Sequence, residues 1–202
     1  PDHLMQFSNV SSGKFAAAED NIKVMATYMQ NNFSPDYGLL PDFIDNPGNN
    51  DNFDADEYKI CPVYSVEGDI FNETKHDDEY YYNACRFPLR LAIAAESPLY
   101  NQSSNEYENI LNKYLDGIDK LLDNPELKYI KGGYKLDGTN PADCDYQERA
   151  FGACAFAAAH AVEGSNQDKG SKFRTSTNWN YFTNTNKDEW DINYYKVSLS
   201  ML

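Results

Sequence analysis

Between Glu148 and Val162 the chain is mostly alanine and glycine, interrupted by Phe151 and Phe156. A helix built from such small residues lets neighbouring elements approach closely, which is what a crowded interior demands. Two further segments carry apolar residues three and four positions apart, the spacing of one helical face. The first runs from Lys14 to Met29 through Phe15, Ala18, Ile22, Met25 and Met29. The second comprises Tyr107, Ile110, Leu111, Tyr114, Ile118 and Leu121, with Ser103 and Glu106 reading as a capping box before it. Ile192, Tyr195, Leu199 and Leu202 suggest a last helix. No strand alternation persists for more than a few residues, so the pattern predicts an all-α chain. With 202 residues and 41% hydrophobic content, it can bury one sizeable core. Two connections, 44–78 and 163–190, exceed the roughly 15 residues beyond which loops are usually functional or disordered.

The run from Asp78 to Arg90 carries the most chemistry. It opens acidic and aromatic, with Tyr80, Tyr81, Tyr82 and Asn83, and continues into an apolar helix bearing Arg86, Pro88 and Arg90. A helix needing only to pack would avoid the proline and would not gather tyrosines, an amide and guanidiniums at one end. Sugars bind on aromatic faces and to planar polar groups, so this end reads as a carbohydrate cleft. A core helix with a wet rim is the plainer alternative.

The net charge of −15 argues against nucleic acid and anionic membrane surfaces as partners. No stretch approaches the roughly 18 apolar residues of a membrane span. Four sites fit the N-glycosylation pattern, at Asn9, Asn32, Asn72 and Asn101, and favour an extracellular location. Cys85 and Cys154 lie in apolar helical patterns as buried thiols. Cys61 and Cys144 lie in polar loops, where a disulfide is easier to picture. His3, His76 and His160 are scattered, so no metal site is expected. No phosphate-cradling glycine loop or nucleophile triad stands out, and no cofactor is expected. Starting at Pro1, the chain reads as a processed product, a fragment or a sequence truncated at its start.

Tyr80 to Arg90 resembles the tyrosine–aspartate/asparagine–alanine–x–arginine–x–proline motif of glycoside hydrolase family 8, especially as written in clostridial-type members. Tyr37 to Phe43, Gly132 to Gly138, Phe151 to Ala157, and Asn193 to Tyr195 with Leu199 are similar to further family segments, in the family's order. The resemblance implies an (α/α)6 barrel with the cleft at the N-terminal ends of its inner helices. Each helix pair takes on the order of 60 residues, so 1–202 would form a single domain holding about half a barrel. All segments placed belong to the family's C-terminal half. The N-terminal half with its catalytic acid is expected to be absent, leaving apolar inner faces that would self-associate or meet the missing half.

The resemblance further implies an inverting, endo-acting hydrolase of β-glucan, cellulose, xylan or chitosan, in which an acid protonates the leaving oxygen and a base activates water. One subgroup carries its base at the position of Asn83, which as an amide cannot serve. Other members take the base from the loop upstream, where Glu73 is the matching residue and Glu67 and Asp69 are alternatives. A glycan on Asn72 would crowd that site. Asn83, Arg86, Tyr81 and Tyr82 are the expected substrate-binding residues, the arginine orienting Asn83 or a sugar hydroxyl. Asp42 is expected to cap a helix or fix an arginine. Lacking the acid, this chain alone should be inactive. A non-catalytic carbohydrate-binding or extracellular assembly protein on the same scaffold stays open.

Overall fold

A computed structural model of the protein describes residues 15–45, 54–60, 74–97, 99, 105–122 and 130–163. These residues are mostly helical, as the apolar periodicity predicts. The order is α1 (Ala16–Asn32), β1 (Ile44–Asp45), a 3-10 turn (Ala55–Glu57), β2 (Lys59–Ile60), α2 (Arg86–Ala95), α3 (Glu106–Leu122), a second 3-10 turn (Ala142–Cys144) and α4 (Arg149–Ala161). The strands are two residues each and pair antiparallel, Ile44 opposite Ile60. This arrangement fits an all-α, partial helical barrel. The helix expected over Ile192–Leu202 lies outside the described residues.

Helix α4 is the interior element its composition requires. Ala150, Phe151, Gly152, Cys154, Ala155, Ala158 and Ala159 are buried, and α2 and α3 both pack against it. Helix α3 realises its stripe almost completely, with Tyr107, Ile110, Leu111, Tyr114, Leu115, Ile118 and Leu121 buried. Its start differs from the expectation. The helix begins at Glu106, after Asn105 in the left-handed region (φ 49°), so Glu106 is the first helical residue and not the third of a capping box. Helix α1 buries Ala26 and Met29 towards its C-terminal end, whereas Phe15 is exposed. Pro88 needs no functional explanation. It is the third residue of α2 and buried, and a first-turn residue has no intrahelical partner for the N–H that proline lacks.

Two tight approaches seat the helices. Gly38 holds φ +60°, and a Cβ there would meet the Lys113 carbonyl oxygen of α3 at 2.8 Å. Gln30 then donates its amide to the carbonyls of Gly38 (2.9 Å) and Ile110 (3.0 Å), joining α1, the turn and α3. The segment before α2 is stitched to the segment before α4 through reciprocal bonds, Tyr80 N to Tyr134 O (2.9 Å) and Tyr134 N to Tyr80 O (3.1 Å). Beneath them the Tyr80 and Tyr114 hydroxyls meet at 2.8 Å.

Candidate functional site

Helix α2 lacks a cap of its own. Cys85, which precedes it, makes no side-chain capping bond. From 41 residues upstream, the carboxylate of Asp42 instead binds the turn that leads into α2. Oδ1 accepts from the backbone amides of Tyr81 (2.9 Å) and Ala84 (2.8 Å), and Oδ2 from that of Asn83 (3.0 Å). Negative charge at a helix start is favoured by the free amides and the helix dipole. Asp42 is itself held by its amide donating to Glu79 O (2.8 Å), while the Phe43 amide donates to Asp77 O (3.0 Å). Burial pushes its carboxyl up to about 6, against the opposing pull of those hydrogen bonds. Asp42 therefore braces the turn entering α2, and a hydrogen-bonded path runs from it through Asn83 to the arginine.

Asn83 donates its side-chain amide to Asp42 Oδ2 (3.3 Å), and its Oδ1 accepts from Arg86 Nη2. Asp42, Asn83 and Arg86 thus form one chain of hydrogen bonds across the start of α2. Arg86 is half-buried and Arg90 is exposed, so the two arginines have different environments. Tyr81 and Tyr82 are also half-buried and contact each other edge to face, centroids 4.8 Å apart. Tyr81 lies tilted against His76 (4.6 Å). Tyr82 packs edge-on to Phe151 (5.3 Å) and donates its hydroxyl to Glu148 Oε2 at 2.5 Å. Glu148 is 2% exposed and caps α4 through the Ala150 amide (3.2 Å). Burial and these bonds hold the Tyr82 phenol far above its ordinary pKa. Burial does the same for Tyr81, with Tyr146 contributing.

Glu73, Glu67 and Asp69 lie outside the described residues, as do Asn9, Asn72 and Asn101. Among the described residues that follow, the amide and hydroxyl of Thr74 both donate to Asp77 Oδ1 (2.9 and 3.1 Å). Asn32 is exposed at the end of α1, its amide donating to Tyr28 O (2.9 Å). The hydroxyl of that sequon is committed to the core, because Ser34 is buried and donates to Leu136 O (2.6 Å).

One cluster was not legible in the sequence. His76 Nδ1 stands 2.7 Å from Glu79 Oε2, and His76 Nε2 stands 3.2 Å from Asp143 Oδ2. Cys144 Sγ lies 3.9 Å from the same Nε2. Lys75 pairs with Asp143 from the solvent side. Cys144, expected in a loop suited to a disulfide, is instead a buried free thiol, and burial pushes it up to about 11. Cys61 lies outside the described residues. Cys85 and Cys154 are buried free thiols, as their helical patterns suggest. Gly133 permits the close approach here, since a Cβ would meet Tyr81 Cδ2 at 2.9 Å and Cys144 Sγ at 3.0 Å. The scattered histidines conceal a group of metal-ligand type among the described residues.

No family model matches the chain. The chain is 27% identical to an endoglucanase of Bacillus sp. strain KSM-330 across 99% of its own length and 38% of that protein's. It is 29% identical to a beta-glucanase of Niallia circulans across 68% of its own length and 30% of that protein's. Among solved structures, the apo beta-1,3-1,4-glucanase from Paenibacillus sp. X4 superposes with a TM-score of 0.72 at 25% identity, over 98% of this chain and 45% of that one. These similarities support a glycoside hydrolase. The chain spans less than half the length of each relative.

Proposed function

We propose that this chain is the C-terminal half of an inverting, family 8-type β-glucan hydrolase that acts outside the cell. The observation carrying this reading is the hydrogen-bonded series Asp42–Asn83–Arg86 at the start of α2, beside Tyr81. The names of the relatives point to a glucan as the substrate. Asn83 is held from both sides, its amide on Asp42 and its carbonyl under Arg86, so it offers a fixed contact for a sugar hydroxyl. Arg86 supplies a cation and further donors. Tyr81 offers an aromatic surface, whereas Tyr82 serves mainly as a brace, its hydroxyl given to Glu148 and its ring to Phe151.

Asp42 is unsuited to be the base because its oxygens are engaged by backbone amides. Glu73 remains the proposed base, one residue before the anchored Thr74. An inverting site sets its two carboxyl groups about 6.5–9.5 Å apart, leaving room for water. The acid would come from the N-terminal half of the complete enzyme. Accordingly, the chain alone should not hydrolyse mixed-linkage β-glucan. Joined to that half it should do so, and Glu73→Gln should lower kcat by at least about a thousandfold with an unchanged circular dichroism spectrum. Retained activity in Glu73→Gln would eliminate this base. If the joined protein binds glucan without cleaving it, the chain is a non-catalytic carbohydrate-binding relative, a reading that the amide at position 83 favours.

A further inference from the structure

We propose that His76, Asp143 and Cys144 form a zinc site that pins the loop before α4 to the turn before α2. Each residue offers one ligand atom, and these atoms all lie within 4.8 Å of one another. Zinc bonds of about 2.0–2.3 Å to nitrogen, oxygen and sulfur place tetrahedral donors roughly 3.2–3.8 Å apart. The observed separations are 3.2 Å from His76 Nε2 to Asp143 Oδ2 and 3.9 Å from Nε2 to Cys144 Sγ. Closing on an ion requires the widest pair of these atoms, within 4.8 Å, to come together by up to about 1 Å.

The surroundings of the imidazole strengthen the assignment. A metal-bound histidine usually gives its other ring N–H to a carboxylate, which fixes the tautomer and the ring plane. Glu79 Oε2 occupies that position, 2.7 Å from Nδ1, and leaves Nε2 facing the aspartate and the thiol. The mixture of imidazole, thiolate and carboxylate suits zinc better than magnesium or calcium, which prefer oxygen alone. His76 and Cys144 are buried while Asp143 is exposed. An ion can thus enter from the Asp143 side and keep a water as its fourth ligand.

Lys75 now occupies the entrance, paired with Asp143. Its ammonium group is largely exposed and can move into solvent when the dication arrives. As the sulfur–zinc bond forms, the Cys144 thiol releases its proton to water. The ion would tie together residues 67 and 68 positions apart, and because His76 lies against Tyr81 it would also stiffen that aromatic surface. The role is structural and adds no step to hydrolysis.

The test uses the full chain, stripped with a chelator and titrated with zinc against a chromophoric competitor. One equivalent should bind, and the thermal midpoint should rise with zinc concentration. Cobalt in place of zinc should produce a near-ultraviolet thiolate-to-metal charge-transfer band. Cys144→Ser should abolish that band, Cys61→Ser should preserve it, Glu79→Gln should weaken zinc binding about 10–100-fold, and Lys75→Ala should tighten it. The wild-type cobalt spectrum is informative even if Cys144→Ser fails to fold. Failure to bind one equivalent of zinc, absence of the band in the wild type, or its loss in Cys61→Ser but not in Cys144→Ser would overturn the assignment.

Discussion

Two carboxylates flank the aromatic run that precedes α2, and each serves a helix start in a different way. Glu148 caps α4 from the adjoining position, bonding the Ala150 amide, and spends its other oxygen on the Tyr82 hydroxyl. Asp42 holds the turn leading into α2 from a remote segment, accepting from the amides of Tyr81, Asn83 and Ala84 together with the Asn83 side chain. The nearby cap orients a side chain, and the remote carboxylate shapes a backbone. The glycan-binding surface proposed at Tyr81 and Asn83 would therefore rest chiefly on Asp42, although Asp42 need never touch sugar.

Asp42→Ala is the most forceful way to break this contrast. It strands several amides at the start of α2 and should cost about 3 kcal/mol, given roughly 1 kcal/mol or more for each bond whose partner is lost. Urea unfolding would measure it, and the cost should exceed that of Glu148→Gln, which keeps one acceptor oxygen for the Ala150 amide and loses only the acceptor of the Tyr82 hydroxyl. If the two costs are equal, the distinction between backbone and side-chain anchoring is wrong.

A double-mutant cycle sharpens the other side. Tyr82→Phe and Glu148→Gln should couple by about 1 kcal/mol through their shared hydrogen bond. A coupling near zero would show that Tyr82 is held by Phe151 packing alone.

The Asp42 carboxylate also predicts a pH dependence. The Asp42 carboxyl lies near 6 when folded, against an ordinary value of 3.8. A carboxyl raised by folding favours the folded state fully below its unfolded pKa, and that contribution is lost as pH rises through the folded pKa. Stability should therefore decline between about pH 4 and 6, by an amount comparable with the Asp42→Ala cost, and Asp42→Asn should flatten the profile. A wild-type profile that rises through this range and flattens in Asp42→Asn would show that the hydrogen bonds outweigh burial.

Helical periodicity made α1 and α3 legible, because a face that must be buried repeats at the helix's own spacing. The small residues of α4 foretold its interior place for a similar reason. Composition around Tyr81–Arg86 marked the candidate site, and the family-like segment around Asp42 identified a residue of capping type. What periodicity could not supply was the partner. That Asp42 holds the turn before α2, that Tyr82 is braced by Glu148, and that Gly133 lets Tyr81 and Cys144 crowd together depend on segments meeting from 41 to 66 positions apart or on close approach. The start of α3 was misread because a capping box is a local pattern, whereas the backbone turns at Asn105. The cluster of His76, Glu79, Asp143 and Cys144 shows the limit most clearly. Local sequence determined which side chains were available and which faces sought burial. Only the pairing of Tyr80 with Tyr134, and of Lys131 with Gln147, brought an imidazole to a thiol, because distances across a fold are set by packing and backbone pairing rather than by spacing along the chain.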